Sequence, residues 1–296
     1  MEAHIKKAIK NFVAEMRKKC YIDNTTVQKL EVVKVLVPNN FLTVLSKKKD
    51  WGCNRQMEHI MCLNENIPNI GLKFRTTTEG EEIKLVREFI DFYIYKFKKV
   101  NKKKNLAIFI EPKVESGFPD IVFAKYDPNI IIENWNDKRK QLVTNDLKLL
   151  SQLLYSRGCS GEYLLNCLKL SEGQTLESLE RLLDANMIVR KNGVWRAQNL
   201  KKFYSIEKLI SVEAKMCDMK KVLEQSLKNT WFASQSYILT GTNHPQKDTI
   251  LNIRKQGVGL YCKDEGFKKI IEAKKMSLPS SYLSLQFNEW IGNAII

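Results

Sequence analysis

Three residues carry the chemistry this sequence is best equipped to do. Asp120 follows Pro119 and opens an apolar run, Ile121-Val122-Phe123. Glu213 and Lys215 close another, Leu209-Ile210-Ser211-Val212. Residues two apart on a strand project to the same side, so Glu213 and Lys215 share a face while Ala214 takes the packed one. Two carboxylates and an ammonium can hold and use a divalent cation. Mg²⁺ takes oxygen ligands and keeps several waters, so one or two carboxylates suffice. The cation polarises a phosphate and lowers the pKa of an attacking water. A neighbouring lysine orients that water and offsets charge developing on the phosphate. The expected chemistry is metal-dependent hydrolysis of phosphodiesters.

Glu-x-Lys alone is a weak motif, since it occurs four times here. Glu82-Lys84 and Glu272-Lys274 fall in expected helices, and Pro112 breaks Glu111-Lys113. Only Glu213-Lys215 ends a strand and precedes an amphipathic helix. Glu111 and Glu115 flank the set; either could add a ligand, but the expected role is a solvated turn carboxylate. Gln225 and Lys228 lie on the helix that follows, and His244 reads as an ordinary loop residue beside Pro245.

The elements that must position these residues are legible in outline. A helix is expected from Thr78, an N-cap with Glu81 three residues on as a capping box requires. Ile83, Val86, Phe89, Ile90, Tyr93, Ile94 and Phe97 give it an apolar stripe at helical spacing. Strands are expected over 106–110 and 120–124, separated by a turn at Glu115-Ser116-Gly117-Phe118-Pro119. Past residue 203, strands over 209–214, 237–239 and 258–262 alternate with helices over 217–231, 249–255 and 266–276. That alternation predicts an α/β sandwich around a mixed sheet. Between the two parts, residues 147–155, 161–170 and 175–185 read as three helices. A hairpin follows, turning at Asn192-Gly193, the preferred pair for a type I′ turn. Three helices and a hairpin make the winged-helix order. The expected organisation is residues 1–75 of unassigned role, a core over 76–136 and 203–296, and a winged-helix insertion over 137–202.

Pro119-Asp120 followed by Glu213-Ala214-Lys215 resembles the PD-(D/E)XK nuclease superfamily, over about residues 78–136 and 203–276. Glu115 to Ile121 also looks like the corresponding segment of archaeal Holliday-junction resolvases. The resemblance implies a restriction-endonuclease-like α/β/α core, a Mg²⁺ cofactor (with Mn²⁺ as substitute) and DNA endonuclease activity. Restriction, antiphage defence, mobile-element processing and repair would all accommodate it. The family often adds a Glu on the helix before the first strand. Glu82 is the best match, with Glu88 and Glu81 as fallbacks. The implied metal ligands are Asp120, Glu213 and Glu82, with Lys215 assisting catalysis and Gln225 or Lys228 offering a phosphate contact. One departure stands out: the family keeps Asp and Glu-x-Lys close in sequence, and here the inserted module separates them.

The formal net charge of +16 and pI of about 9.4 suit an anionic partner, because cationic side chains release condensed counterions from phosphates. DNA is expected, with RNA as an alternative. The third helix of the module is acidic, with Glu177, Glu180 and Asp184 against Arg181. The wing is basic at Arg190, Lys191 and Arg196, so phosphate contact is expected through the wing. A homodimer, or a partner protein on the module, is the expected assembly. Seven Cys with no CxxC pair and three His argue against a zinc site and for a reduced, cytoplasmic protein. The N-terminal segment reads as a short amphipathic helix, and no segment reads as a membrane span. The alternative function is a non-cleaving nucleic-acid-binding, regulatory or assembly protein that keeps the nuclease-like fold.

Overall fold

The computed structural model describes residues 42–45, 60–63, 70, 80–101, 104–242 and 244–296. The helix expected over residues 1–20 and the cap expected at Thr78 lie outside them. The described residues up to Ala294 belong to one compact unit.

Its centre is a mixed sheet of eight strands in the order β10-β9-β8-β7-β4-β3-β1-β2. Strands β1 (Leu42–Leu45) and β2 (Ile60–Leu63) lie parallel beside β3 (Asn105–Ile110). The core sheet therefore takes in strands from residues 1–75, the region whose role the sequence leaves unassigned. Strands β3, β4 (Ile121–Tyr126) and β7 (Ile206–Lys215) form an antiparallel meander. Strands β8 (Gln235–Thr240) and β9 (Gly259–Lys263) then run parallel to β7. Strand β10 (Phe267–Ile271) closes the edge antiparallel to β9. A helix was expected over 266–276. Here Phe267 and Ile271 turn inward, the Lys268 and Lys269 side chains stay exposed, and Asp264 N donates to Gly266 O across a tight turn. Lysines are well placed on an edge strand, where they discourage further pairing.

Helix α1 (Glu81–Val100) covers one face of the sheet. Its stripe of Leu85, Val86, Phe89, Ile90, Ile94 and Phe97 packs on Ile108, Ile110, Ile121, Phe123, Ile210 and Val212. Gly80 is its N-cap, with no side-chain cap bond. On the other face, α6 (Met219–Asn229) and α7 (Lys247–Lys255) cover β8 and β9 through Val222, Leu223, Ile253 and Leu260. Helix α8 (Tyr282–Ile295) covers β3 there, with Phe287 and Trp290 against Phe109. The fold is mixed α/β, with helices on both faces.

The chain between β4 and β7 leaves and rejoins the sheet without interrupting it, since β4 pairs directly with β7. It begins with α2 (Pro128–Asn134), capped by Asp127 and with proline in its first turn. A 3₁₀ turn, Asp137–Gln141, leads into α3 (Thr144–Ser156), α4 (Gly161–Leu168) and α5 (Glu172–Asp184). Strands β5 (Ile188–Lys191) and β6 (Val194–Ala197) make their own two-stranded sheet. Asn192 and Gly193 both take positive φ, 53° and 75°, the conformation the type I′ turn demands. Helix α8 fastens both connections of this segment. Arg139 donates from Nε to Glu289 Oε2 at 3.0 Å and from its terminal nitrogen to Oε1 at 2.5 Å. Asn288 Oδ1 accepts from Ser205 N at 2.7 Å, and its Nδ2 donates to Phe203 O at 2.9 Å. No helix among the described residues is long and apolar enough to cross a membrane.

Candidate functional site

The antiparallel register sets the geometry of the candidate site. Ile121 pairs with Val212, and both side chains belong to the core under α1. One step along, Asp120 stands opposite Glu213, so the two carboxylates project to the other face together. Glu111 extends the row, because its N–H donates to Asp120 O at 3.0 Å. The sequence spacing thus brings Asp120 and Glu213 to one face across an insertion that separates them in the chain.

Glu213 is only 4% exposed, and its Oε1 accepts from Asn229 Nδ2 at 2.6 Å. Asp120 Oδ2 accepts from the Ala214 backbone N–H at 2.7 Å. Burial pushes Asp120 above the usual carboxylate range. The Ala214 bond opposes that rise, the Glu111 charge adds to it, and Lys215 partly offsets it. Burial and then the Asp120 charge raise Glu213, against the opposing pull of Asn229 and Lys215. Asp120 thus adds its charge to the burial that holds Glu213 up, and a carboxyl raised in this way favours its neutral form.

Lys215 Nζ lies 2.6 Å from Glu82 Oε2. Burial by itself would lower this ammonium, but Glu82, with Asp120 and Glu213 behind it, raises it above the ordinary lysine value. Glu82 is therefore the one of the three glutamates on α1 that reaches the site, and it does so through Lys215. Glu88 pairs instead with Lys263 at 2.5 Å. Among the described residues, no three His, Cys, Asp or Glu side chains converge as a cation-binding group. The carboxylates that face each other are the pair Asp120 and Glu213.

Two flanking acids separate in the structure. Glu111, read from the sequence as a solvated turn residue, is buried and adopts a left-handed φ of 50°. It belongs with the acidic row because strand β3 delivers it there. Glu115 turns away, accepting from the Tyr282 hydroxyl, with Lys148 Nζ at 4.0 Å. Asn229 was missed. Gln225 and Lys228 are the polar residues that the sequence singles out on this helix, and Asn229, next to Lys228, is the one that bonds Glu213. Lys228 is exposed, Gln225 half-buried and His244 exposed.

The basic wing keeps its charges in solvent. Arg190, Lys191 and Arg196 are exposed, and the Arg190 guanidinium lies 5.2 Å from the Trp195 ring. On α5, Glu177, Glu180 and Asp184 are exposed. Arg181 turns inward to the buried Asp146, donating from Nε at 2.8 Å. Arg181 also keeps Glu177 at 3.6 Å, so the cation that the sequence set against these acids is shared with Asp146, and Glu180 and Asp184 have no such partner among the ion pairs of the described residues. No family model matches the sequence, and comparison with curated proteins and with solved structures finds no match.

Proposed function

We propose that the chain is a metal-dependent nuclease of the PD-(D/E)XK type, hydrolysing DNA phosphodiester bonds, with a winged helix inserted over residues 137–202. The observation that carries this reading is the placing of half-buried Asp120 opposite buried Glu213, one step beyond the Ile121–Val212 pair of β4 and β7, with Lys215 close by. The sheet supports it too: a helix, an antiparallel meander, and parallel strands joined through α6 and α7 follow the restriction-endonuclease-like order. Asp120 and Glu213 are oxygen donors that suit Mg²⁺ or Mn²⁺. Bound there, the cation supplies Lewis-acid polarisation of the phosphate and a more acidic water. Lys215 orients the attacking water and meets charge on the phosphate. Glu82 holds that ammonium at its post, and Asn229 fixes the Glu213 carboxylate. Wing residues Arg190, Lys191 and Arg196, with Lys228 on α6, contact phosphates.

A second reading has its own support. With two facing carboxylates and Glu82 engaged by Lys215, the site also suits a nucleic-acid-binding or assembly protein that keeps the fold without cleaving. Incubation of wild-type protein with duplex, single-stranded and branched DNA, and with RNA, under Mg²⁺ or Mn²⁺ separates the two. Cleavage that Asp120→Ala and Lys215→Ala abolish, with DNA binding retained, supports the nuclease. Intact substrates throughout would move the assignment to the second reading.

A further inference from the structure

The insertion over residues 137–202 divides its surface by charge. Along α5, Glu177, Glu180 and Asp184 are exposed, so that face repels phosphates. Around the hairpin, Arg157, Arg190, Lys191 and Arg196 are exposed, and none of them is in an ion pair among the described residues. Guanidinium groups in that condition are ready to take phosphates, whose geometry their forked donors match.

The turn between α3 and α4 is bound to β6 on the side away from β5. Cys159 N–H donates to Trp195 O at 3.0 Å, and Trp195 N–H donates to Cys159 O at 2.9 Å. Arg196 lies across Gly158, where a Cβ would meet its Cγ at 2.6 Å. This turn brings two aromatic side chains to the basic hairpin. Tyr155, at the end of α3, is 86% exposed, and Tyr163, on α4, is 45% exposed. The Tyr163 hydroxyl shares a hydrogen bond with Cys167, and Cys159 and Tyr155 lie near enough to act on it electrostatically. A ring as exposed as Tyr155 adds nothing to the core. Its apolar faces are left to whatever lies on the surface.

Arginines interleaved with exposed rings suit unpaired bases, since every base has a π-face to stack and its phosphate can meet a guanidinium. A duplex hides those faces and needs only the cations. We infer that the α3–α4 turn and the adjoining wing form a platform for single-stranded DNA, with bases stacked on Tyr155 and Tyr163 and phosphates held by Arg157, Arg190 and Arg196. The acids of α5 keep the strand off that helix and on the turn side of the hairpin. The platform rests on the wing contact proposed above and is independent of cleavage.

Anisotropy titrations of the full chain in EDTA test it with three labelled ligands of equal length: a single DNA strand, the same strand made abasic, and a duplex. Wild type should bind the single strand more tightly than its abasic form, which keeps the phosphates and lacks the rings. Tyr155→Ala with Tyr163→Ala should weaken the single strand at least about tenfold, the loss of one stacked base. The same variant should bind the abasic strand and the duplex as wild type does, and Tyr155→Phe with Tyr163→Phe should bind all three as wild type does. Arg157→Ala with Arg196→Ala should weaken all three and flatten their salt dependence. Wild type that binds the single and abasic strands equally, or an alanine pair that leaves the single strand unaffected, overturns the platform and leaves the tyrosines to a protein partner. Cleavage is read separately with Mg²⁺. Cutting without ring-dependent binding refutes the platform and leaves the nuclease. Ring-dependent binding with no cutting of any substrate refutes the nuclease and leaves the platform.

Discussion

Two charge clusters, one buried beneath α8 and one at the ends of β4 and β7, are treated in opposite ways. Under α8, Arg139 and Glu289 are each 1% exposed and meet as opposite charges through two hydrogen bonds. Trp135 stacks on the Arg139 guanidinium at 4.3 Å, and Phe203 O accepts from it at 3.0 Å. At the other cluster, Asp120 and Glu213 face each other with like charge, and burial is the largest cause raising both. The first cluster is internally satisfied and has nothing further to bind. The second has one donor to each carboxylate and Lys215 nearby, yet burial still holds both above the ordinary range, and in the function proposed above a cation would offset that. Perturbed carboxylates of this kind mark functional sites more often than structural ones.

The comparison can be broken at either end, and the largest effect is expected at the satisfied one. Glu289→Ala leaves Arg139 buried without its counter-charge and should cost about 3–5 kcal/mol in denaturant unfolding. It should also loosen the segment between β4 and β7, seen as faster proteolysis at residues 137–202. Lys215→Ala should lower cleavage by about 10²- to 10³-fold, the usual loss for one preorganised donor. Its unfolding midpoint should barely move, since the Glu82 pair is half-exposed.

Asp120→Asn should have the opposite sign on stability. The amide oxygen can still accept from Ala214 N, and the like charge beside Glu213 disappears. The metal-free protein should gain about 1 kcal/mol in the same unfolding experiment, while cleavage is lost. The pH dependence follows from both groups having raised values in the fold. Their contribution to stability is complete at low pH and is lost as pH rises through the folded values. Glu272 behaves oppositely. Burial would raise it, but hydrogen bonds from Lys269, Tyr237 and Gln235 pull it down to about 2, and its contribution is lost on acidification toward that value. Thermal melting of metal-free wild type should fall from mildly acidic to alkaline pH, and Asp120→Asn should flatten that fall. The smallest effect concerns the wing. Arg190→Glu with Lys191→Glu should reduce the slope of log binding against log salt by about two phosphate contacts, and reversal of Glu177 and Glu180 to Lys should not weaken binding.

Much of the site was legible because strand periodicity is strict. Once Asp120 heads one strand and Glu213 ends another, their shared face depends only on register. Asn192-Gly193 fixed the hairpin for a similarly local reason. What failed to show was whatever depended on distant burial. Helix α8 has Ser284, Gln286, Asn288 and Glu289 among apolar residues, all buried. A helix enclosed on all sides has no solvent face and so no amphipathic period. Gly292 lies so close to Trp135 that a Cβ there would overlap its ring, which no local pattern reveals. Strand β10 was masked because Phe267 and Ile271 also fit helical spacing. Helix α2 did carry a sign, Asp127 before Pro128, the cap and first-turn proline. Glu111 and Asn229 required the folded sheet, since only packing decides which polar side chain turns toward Glu213.

The central claim is that Asp120 and Glu213 await a cation, and calorimetric titration with Mn²⁺ tests it most directly. Carboxylates that hold a proton must release it to bind metal. Repeating the titration in buffers of different ionisation enthalpy therefore counts protons as well as ions. Mn²⁺ binding to wild type with proton release, tightening as pH rises and lost in Asp120→Asn, is the expected result. No binding, or binding undiminished in Asp120→Asn, would contradict the account.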